Sequence, residues 1–120
     1  KACGVSLPEV QPALDGLDIT LLLEGRQSQR VEPMAFQAPV KSTHDVLAKP
    51  GSMQIALCDD RYKLISLDGG ASWRLFDLSN DPAEANDIAE RYPERVQRMR
   101  TTLEDWIDSC DRSQRGEDYR

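Results

Sequence analysis

The sequence predicts an α+β fold, a small antiparallel sheet of three to four strands with a C-terminal α-helix packed across one face. Within residues 53–78, three apolar runs are joined by tight-turn sequences, which is typical of an antiparallel meander. After Pro93, apolar residues recur at helical spacing. Because a sheet of few strands is marginally stable in water, we expect this helix to cover it.

The first 30 residues are predicted to be a connecting segment with one short helix. Proline and glycine recur through residues 1–16, which indicates loop structure. Asp18 is suited to cap a helix over residues 19–23, and Gly25 is suited to end it in a left-handed conformation.

Two strands are predicted around an aspartate-rich turn, and a further strand precedes them. Residues 33–37 form a candidate edge strand, and the polar residues 38–52 are predicted to be a loop. Residues 53–58 alternate apolar and other side chains, and residues 61–67 return after a hairpin turn at Asp59-Asp60.

The last strand, predicted over residues 72–78, places apolar side chains on both faces of the sheet, since Leu75 and Phe76 are adjacent. The helix can cover only one face. We therefore expect an apolar patch on the other face, available for a docking partner or for self-association.

A capped turn follows this strand. Asp81 and Pro82 suit the first positions of a helix, and Glu84 stands where a capping box has its acidic residue. This pattern predicts a short helix over residues 83–89.

The longer helix is predicted to begin at Pro93, and its stripe is expected to pack on the sheet with Trp106 in the core. The stripe consists of Val96, Met99, Leu103, Trp106 and Cys110. The charged residues 112–120 are predicted to be a loose tail. The resulting divisions are a connecting segment (1–30), the α+β unit (31–111) and the tail (112–120).

Charge and cysteine content exclude several functions. A net charge of −6 argues against a nucleic-acid partner, because phosphate binding requires a basic surface. No apolar run reaches the ~20 residues that a membrane helix needs. Three cysteines and the single His44 do not form a convincing zinc site, and the cysteines are interpreted as free thiols or as one Cys58–Cys110 disulfide.

The sequence of residues 75–89 resembles the C-terminal closing motif of type I sulfatases, which belong to the alkaline-phosphatase-like superfamily. Residues 14–25 are similar to the segment that follows the last core helices of their catalytic domain, and residues 59–65 are similar to one of their strands. The resemblance, to bacterial arylsulfatase-like members, covers about residues 12–110. It implies a C-terminal subdomain that packs against the catalytic domain of the same parent chain, in a periplasmic or secreted protein.

The resemblance also implies where the chemistry lies. Sulfatases use a calcium ion and a formylglycine made from the first residue of Cys/Ser-x-Pro/Ser/Ala-x-Arg. Cys3, Cys58, Cys110 and Ser6 all lack the arginine at the required position. We therefore expect no catalytic residue and no metal site in this chain, with calcium and formylglycine in the catalytic domain of the parent.

Two residues of the polar loop are candidates for the rim of the substrate cleft. Lys41 and His44 are suitable donors to an anionic substrate, and the resemblance implies that loops of this subdomain reach the substrate. The alternative is an ordinary solvent-exposed loop.

Two other functions remain open from the sequence. The chain could be a free-standing protein-binding α+β module, or the equivalent piece of a phosphatase or phosphodiesterase relative. The closing motif favours a sulfatase, but kinship of fold alone would not decide between these relatives.

Overall fold

The computed structural model describes residues 19–30, 32–39 and 52–117. Its regular elements are α1 (Thr20–Leu23), β1 (Met34–Pro39), β2 (Met53–Cys58), β3 (Tyr62–Ser66), β4 (Arg74–Asp77), a 3-10 turn (Ala89–Arg91) and α2 (Pro93–Gln114).

The four strands form one antiparallel sheet in the order β1-β2-β3-β4, so each strand pairs with its neighbour in sequence. The helix α2 packs against one face of this sheet. The predicted α+β class and the predicted meander are therefore confirmed, with the fourth strand present.

The helix-facing core consists of side chains from three strands and from α2. Leu64, Leu75 and Leu103 are fully buried at its centre. The complete cluster is Ile55, Leu57, Tyr62, Leu64, Leu75, Met99 and Leu103. Period-two alternation along the strands accounts for their share of this cluster, because every second side chain points to the same face.

The turn between β3 and β4 is organised by Asp68. Its carboxylate accepts hydrogen bonds from the Ser72 hydroxyl (2.6 Å), the Ser72 N–H (2.9 Å) and the Ser66 hydroxyl (2.8 Å). These bonds, chiefly those from Ser72, hold the pKa of Asp68 well below its ordinary value. Gly69 and Gly70 both have positive φ here, a conformation that glycine adopts without steric cost.

The short helix α1 ends as the sequence predicts, at Gly25 in a left-handed conformation. The N–H of Gly25 donates to the Leu22 carbonyl and the N–H of Arg26 donates to the Leu21 carbonyl, which is the Schellman pattern. At its other end the N-cap residue is Ile19, without a side-chain bond. Asp18, the predicted cap, lies outside the described residues.

The prediction that Trp106 belongs to the core is wrong. Trp106 is 38% exposed, whereas Met99 and Leu103 are buried and Ile107 packs beside them. The core follows the row of residues spaced by four along α2, and Trp106, three residues after Leu103, lies beside that row. The helix also continues to Gln114, beyond the last residue of the predicted stripe.

The predicted helix over residues 83–89 is also wrong. Glu84 has a left-handed backbone conformation (φ 55°), which no α-helix can accommodate, and the chain forms only the 3-10 turn at Ala89–Arg91. The Asp81 carboxylate accepts hydrogen bonds from the N–H groups of Ala85 and Asn86 instead of capping a helix.

Leu103→Ala is expected to lower the free energy of unfolding by about 2–5 kcal/mol, since it empties a fully buried position between α2 and the sheet. Trp106→Ala is expected to cost clearly less, because more than a third of Trp106 already contacts solvent. Urea unfolding of both variants measures the difference. A larger loss for Trp106→Ala would contradict this packing.

Candidate functional site

The segment that leaves β4 is fixed to the sheet by carboxylates, beginning with Asp77. Its carboxylate pairs with the Arg61 guanidinium at 2.7 Å and accepts further hydrogen bonds from the Asn80 amide (2.9 Å) and the Ser79 N–H (3.2 Å). These donors, above all Arg61, lower the pKa of Asp77 to about 2. In the same way, the N–H groups of Asn86 and Ala85 lower the pKa of Asp81.

The outer edge of β4 is closed by the same segment. The Asp87 carboxylate accepts hydrogen bonds from the N–H of Leu75 (3.1 Å) and from the N–H of Ala89 (2.9 Å). The N–H of Ile88 donates to the Leu75 carbonyl at 2.9 Å. The backbone N–H and carbonyl of Leu75, which could otherwise pair with another strand, are therefore already hydrogen-bonded.

Glu84 joins the segment to the second sheet face. Both of its carboxylate oxygens lie 2.7 Å from the Lys63 ammonium nitrogen. Lys63 is on β3 opposite Phe76, so the ion pair lies on the face that α2 does not cover. This pairing gives the left-handed Glu84 a tertiary role in place of the local cap that the sequence suggested.

The second face of the sheet is apolar, as adjacent Leu75 and Phe76 indicate, but its central side chains are buried and not exposed as the predicted patch requires. Ala56, Ile65 and Phe76 form a separate buried cluster there, and no described residue of α2 belongs to it. Towards β1 the face opens, because Phe36 is 51% exposed. Phe36, Ala56 and Ile65 contribute to an open cavity of about 390 Å³ on this face.

Cys58 lies at the border of this cavity. Burial raises the pKa of its thiol above the ordinary value. Cys58 and Cys110 are both free, so the alternative of a disulfide between them is wrong.

A second cavity, of about 370 Å³, lies at the N-terminal end of α2. We call it the arginine cleft, and its walls are formed by Arg91, Tyr92, Pro93, Glu94, Arg95 and Arg98. Sequence analysis missed it, because arginines outside the apolar stripe look like ordinary residues of a solvated helix surface. The spacing of Arg91, Arg95 and Arg98 by four and three residues was the available signal.

The predicted rim residues Lys41 and His44 lie outside the described residues, so their assignment stays a prediction. Among residues 19–30, 32–39 and 52–117, no three His, Cys, Asp or Glu side chains are grouped so as to bind a metal ion. Within the same residues, no helix combines the length and the apolar character needed to cross a membrane.

Solved structures that share the fold of this chain include two sulfatases. One is BT33336S-sulf, from work on glycosaminoglycan metabolism by Bacteroides thetaiotaomicron, with a TM-score of 0.57 and 23% identity over 83% of this chain. The other is BT4656 in complex with its substrate D-glucosamine-2-N,6-O-disulfate, with a TM-score of 0.60 and 18% identity over 88% of this chain. The chain spans 21% of the length of each. No family model matches the sequence, and no curated protein matches it.

Asp77→Asn is expected to lower the stability at neutral pH and to weaken its dependence on acid. Because the folded pKa of Asp77 is about 2 and its ordinary value is 3.8, the stabilisation is complete above about pH 4 and is lost as the pH falls towards 2. Urea midpoints measured between neutral and acidic pH test this. Asp105→Asn, on the exposed side of α2, is the control, and identical acid profiles for both variants would contradict the role of Asp77.

Proposed function

We propose that this chain is the non-catalytic C-terminal subdomain of a sulfuric ester hydrolase, and that its second sheet face docks on the catalytic domain of that protein. The observation that carries the proposal is the two-sided sheet. One face is covered by α2, and the other presents a second apolar cluster with a partly exposed border at Phe36.

The comparisons support this assignment at the level of the fold. The chain matches about a fifth of each of two sulfatases, so a unit of this shape occurs as one part of a longer enzyme. The closing motif of residues 75–89 supports it independently, since it resembles the sulfatase motif in sequence. Here the motif's carboxylates tie the segment to β3 and to the edge of β4.

In this proposal, the role of the subdomain is structural. Docking removes Phe36 and its neighbours from water, which stabilises both partners by about 25 cal/mol for each Å² of apolar surface buried. Lys41 and His44 would then stand at the rim of the substrate cleft and contribute to substrate selection. A periplasmic or secreted location belongs to the same proposal.

In the proposal, this chain supplies neither the formylglycine nor the calcium site. The modification motif Cys/Ser-x-Pro/Ser/Ala-x-Arg occurs nowhere in the 120 residues, and the described residues offer no cluster for a metal ion. In the proposal both belong to the catalytic domain, and no reaction step is derived from this chain.

The decisive experiment is reconstitution. The segment encoded upstream of Lys1 is expected to contain the modification motif and to hydrolyse 4-nitrophenyl sulfate when expressed together with residues 1–120. The chain alone is expected to give no turnover. An upstream segment without the motif, or turnover by the chain alone, would refute the assignment.

Phe36→Asp is expected to weaken docking, since it places a charge on the apolar border of the second face, and also to reduce self-association of the isolated chain. Trp106→Asp, at an exposed aromatic residue of α2, is the matched control. Sedimentation velocity over a concentration series, together with pull-down of the catalytic segment, measures both effects. A wild-type chain that is a stable monomer and binds no catalytic segment would favour a free-standing binding module.

A further inference from the structure

The two outer edges of the sheet differ. The edge of β4 is closed, because Asp87 and Ile88 hydrogen-bond to the backbone of Leu75. The other edge belongs to β1, which pairs with β2 alone in the sheet. Among residues 19–30, 32–39 and 52–117, no backbone hydrogen bond reaches the outer side of β1. An open edge of this kind is a template for pairing with a further strand.

The alternation of hydrogen bonds identifies the backbone groups that β1 turns outward. The Asp59 N–H donates to the Tyr62 carbonyl, so odd-numbered residues of β2 bond to β3 and even-numbered ones bond to β1. Even numbers lie opposite even numbers in the β1–β2 register. The N–H and carbonyl groups of Ala35 and Gln37 therefore point outward. The same alternation, continued through β3, turns the backbone of Leu75 outward on β4, where its bonds are observed.

The outward groups of β1 are complementary to themselves. If two β1 strands pair antiparallel about Phe36, the N–H and carbonyl of Ala35 meet the carbonyl and N–H of Gln37 in the other strand. Pro33 and Pro39, which have no N–H, then lie opposite each other, so the pairing leaves no donor without an acceptor. A register shifted by two residues would place a proline opposite Ala35 or Gln37 and lose bonds.

A groove runs beside this edge, between β1 and the second half of α2. Its volume is about 620 Å³, and Met34, Ala35 and Phe36 form its β1 wall. Met34 and Phe36 are partly exposed, as is Trp106 on the opposite wall. The α2 wall consists of uncharged residues, which are Trp106, Ser109, Cys110, Ser113 and Gln114. A strand added to β1 would therefore extend the sheet beneath this part of α2.

The distribution of charge favours a second copy of the same chain as the occupant. Two copies that each carry a net charge of −6 repel unless uncharged surfaces meet. The acidic residues of the same helical turns lie outside the groove, and they are Glu104, Asp105, Asp108 and Asp111. Neither the strand 34–39 nor the α2 wall carries a charge. Edge strands that remain unpaired commonly carry a charged residue, often lysine, and β1 has none.

We propose that the chain forms a two-fold symmetric dimer in which β1 pairs with β1 of a second copy, in the register centred on Phe36. The two four-stranded sheets become one continuous sheet, and the α2 helices lie on the same side of it with their uncharged walls facing each other. Because the edge of β4 is closed, association stops at two copies. This dimer does not rest on the proposed function, since Ala56, Ile65 and Phe76 of the second face take no part in it.

Hydrogen exchange of the full 120-residue chain, followed residue by residue by NMR over a concentration series, tests the pairing. Sedimentation equilibrium on the same samples gives the dimer fraction. We expect exchange at the N–H groups of Ala35 and Gln37 to slow about tenfold or more as the dimer forms. The N–H groups of Phe36 and Ala38, which already bond to β2, are the internal reference and are expected to change clearly less.

Gln37→Pro is the test variant, because it removes an outward N–H and leaves the bonds to β2 in place. Gln37→Ala is the matched control, since it removes the same side chain and keeps the N–H. We expect the proline variant to raise the dimer Kd about tenfold or more and the alanine variant to change it less than about threefold. Urea midpoints verify folding. Ser109→Glu, with Ser109→Gln as its control, probes the same interface from α2, where the introduced charge is expected to weaken the dimer.

A chain that stays monomeric throughout the series would overturn the proposal, as would fast exchange at Ala35 and Gln37 in a dimeric sample. Assemblies larger than a dimer would contradict the closed two-fold arrangement. If the chain is monomeric and Gln37→Pro weakens binding of the catalytic segment, the edge belongs to a strand of that domain and the second copy is refuted. The reconstitution assay needs no pairing of copies, so failure of the dimer and failure of the proposed function are separately visible.

Discussion

The structure depends on carboxylates of residues 77–87, which accept hydrogen bonds from backbone N–H groups and from the Arg61 guanidinium. Asp87 and Ile88 pair with the backbone N–H and carbonyl of Leu75 at the outer edge of β4, and Asp77 at the end of β4 pairs with Arg61, the residue before β3. These contacts set the path by which the chain turns from the sheet into α2. Without them, α2 would have no fixed starting point over the core, and the edge of β4 would be open to other strands.

The sheet and its covering helix were predictable because both depend on periodic patterns that burial enforces. The two wrong predictions, the helix over residues 83–89 and the burial of Trp106, share one cause, which is competition between local and tertiary contacts. Asp81 and Glu84 satisfy the local rule for a helix start, but the ion pair of Glu84 with Lys63 accompanies a backbone conformation that excludes the helix. Trp106 has the right residue type and approximate spacing, yet the contact row of α2 passes through Leu103 and Ile107.

The apolar second face was predictable from adjacent Leu75 and Phe76. The spacing of its arginines was the one signal for the arginine cleft, and that spacing does not predict the 3-10 turn that places Arg91 beside the helix.

The fold has two surfaces of different character, the second sheet face and the arginine cleft. The second sheet face is apolar and suits a partner that buries it permanently, as a domain of the same chain would. The arginine cleft is polar, and one of its arginines, Arg95, stacks on Tyr62, which is part of the core. The cleft lies on the helix-facing side of the sheet, whereas the second sheet face lies on the opposite side of the same strands.

The pairing of every strand with its neighbour in sequence has a consequence for the order of folding. The β2–β3 and β3–β4 ladders close short loops, and folding rates rise as contacts become more local. We expect the sheet and α2 to assemble quickly as a unit, even where the rest of a longer protein folds slowly. In the proposed docking, the exposed border of the second face at Phe36 stays in water until the catalytic domain covers it, and a chaperone or a second copy of the chain competes for that border in the meantime.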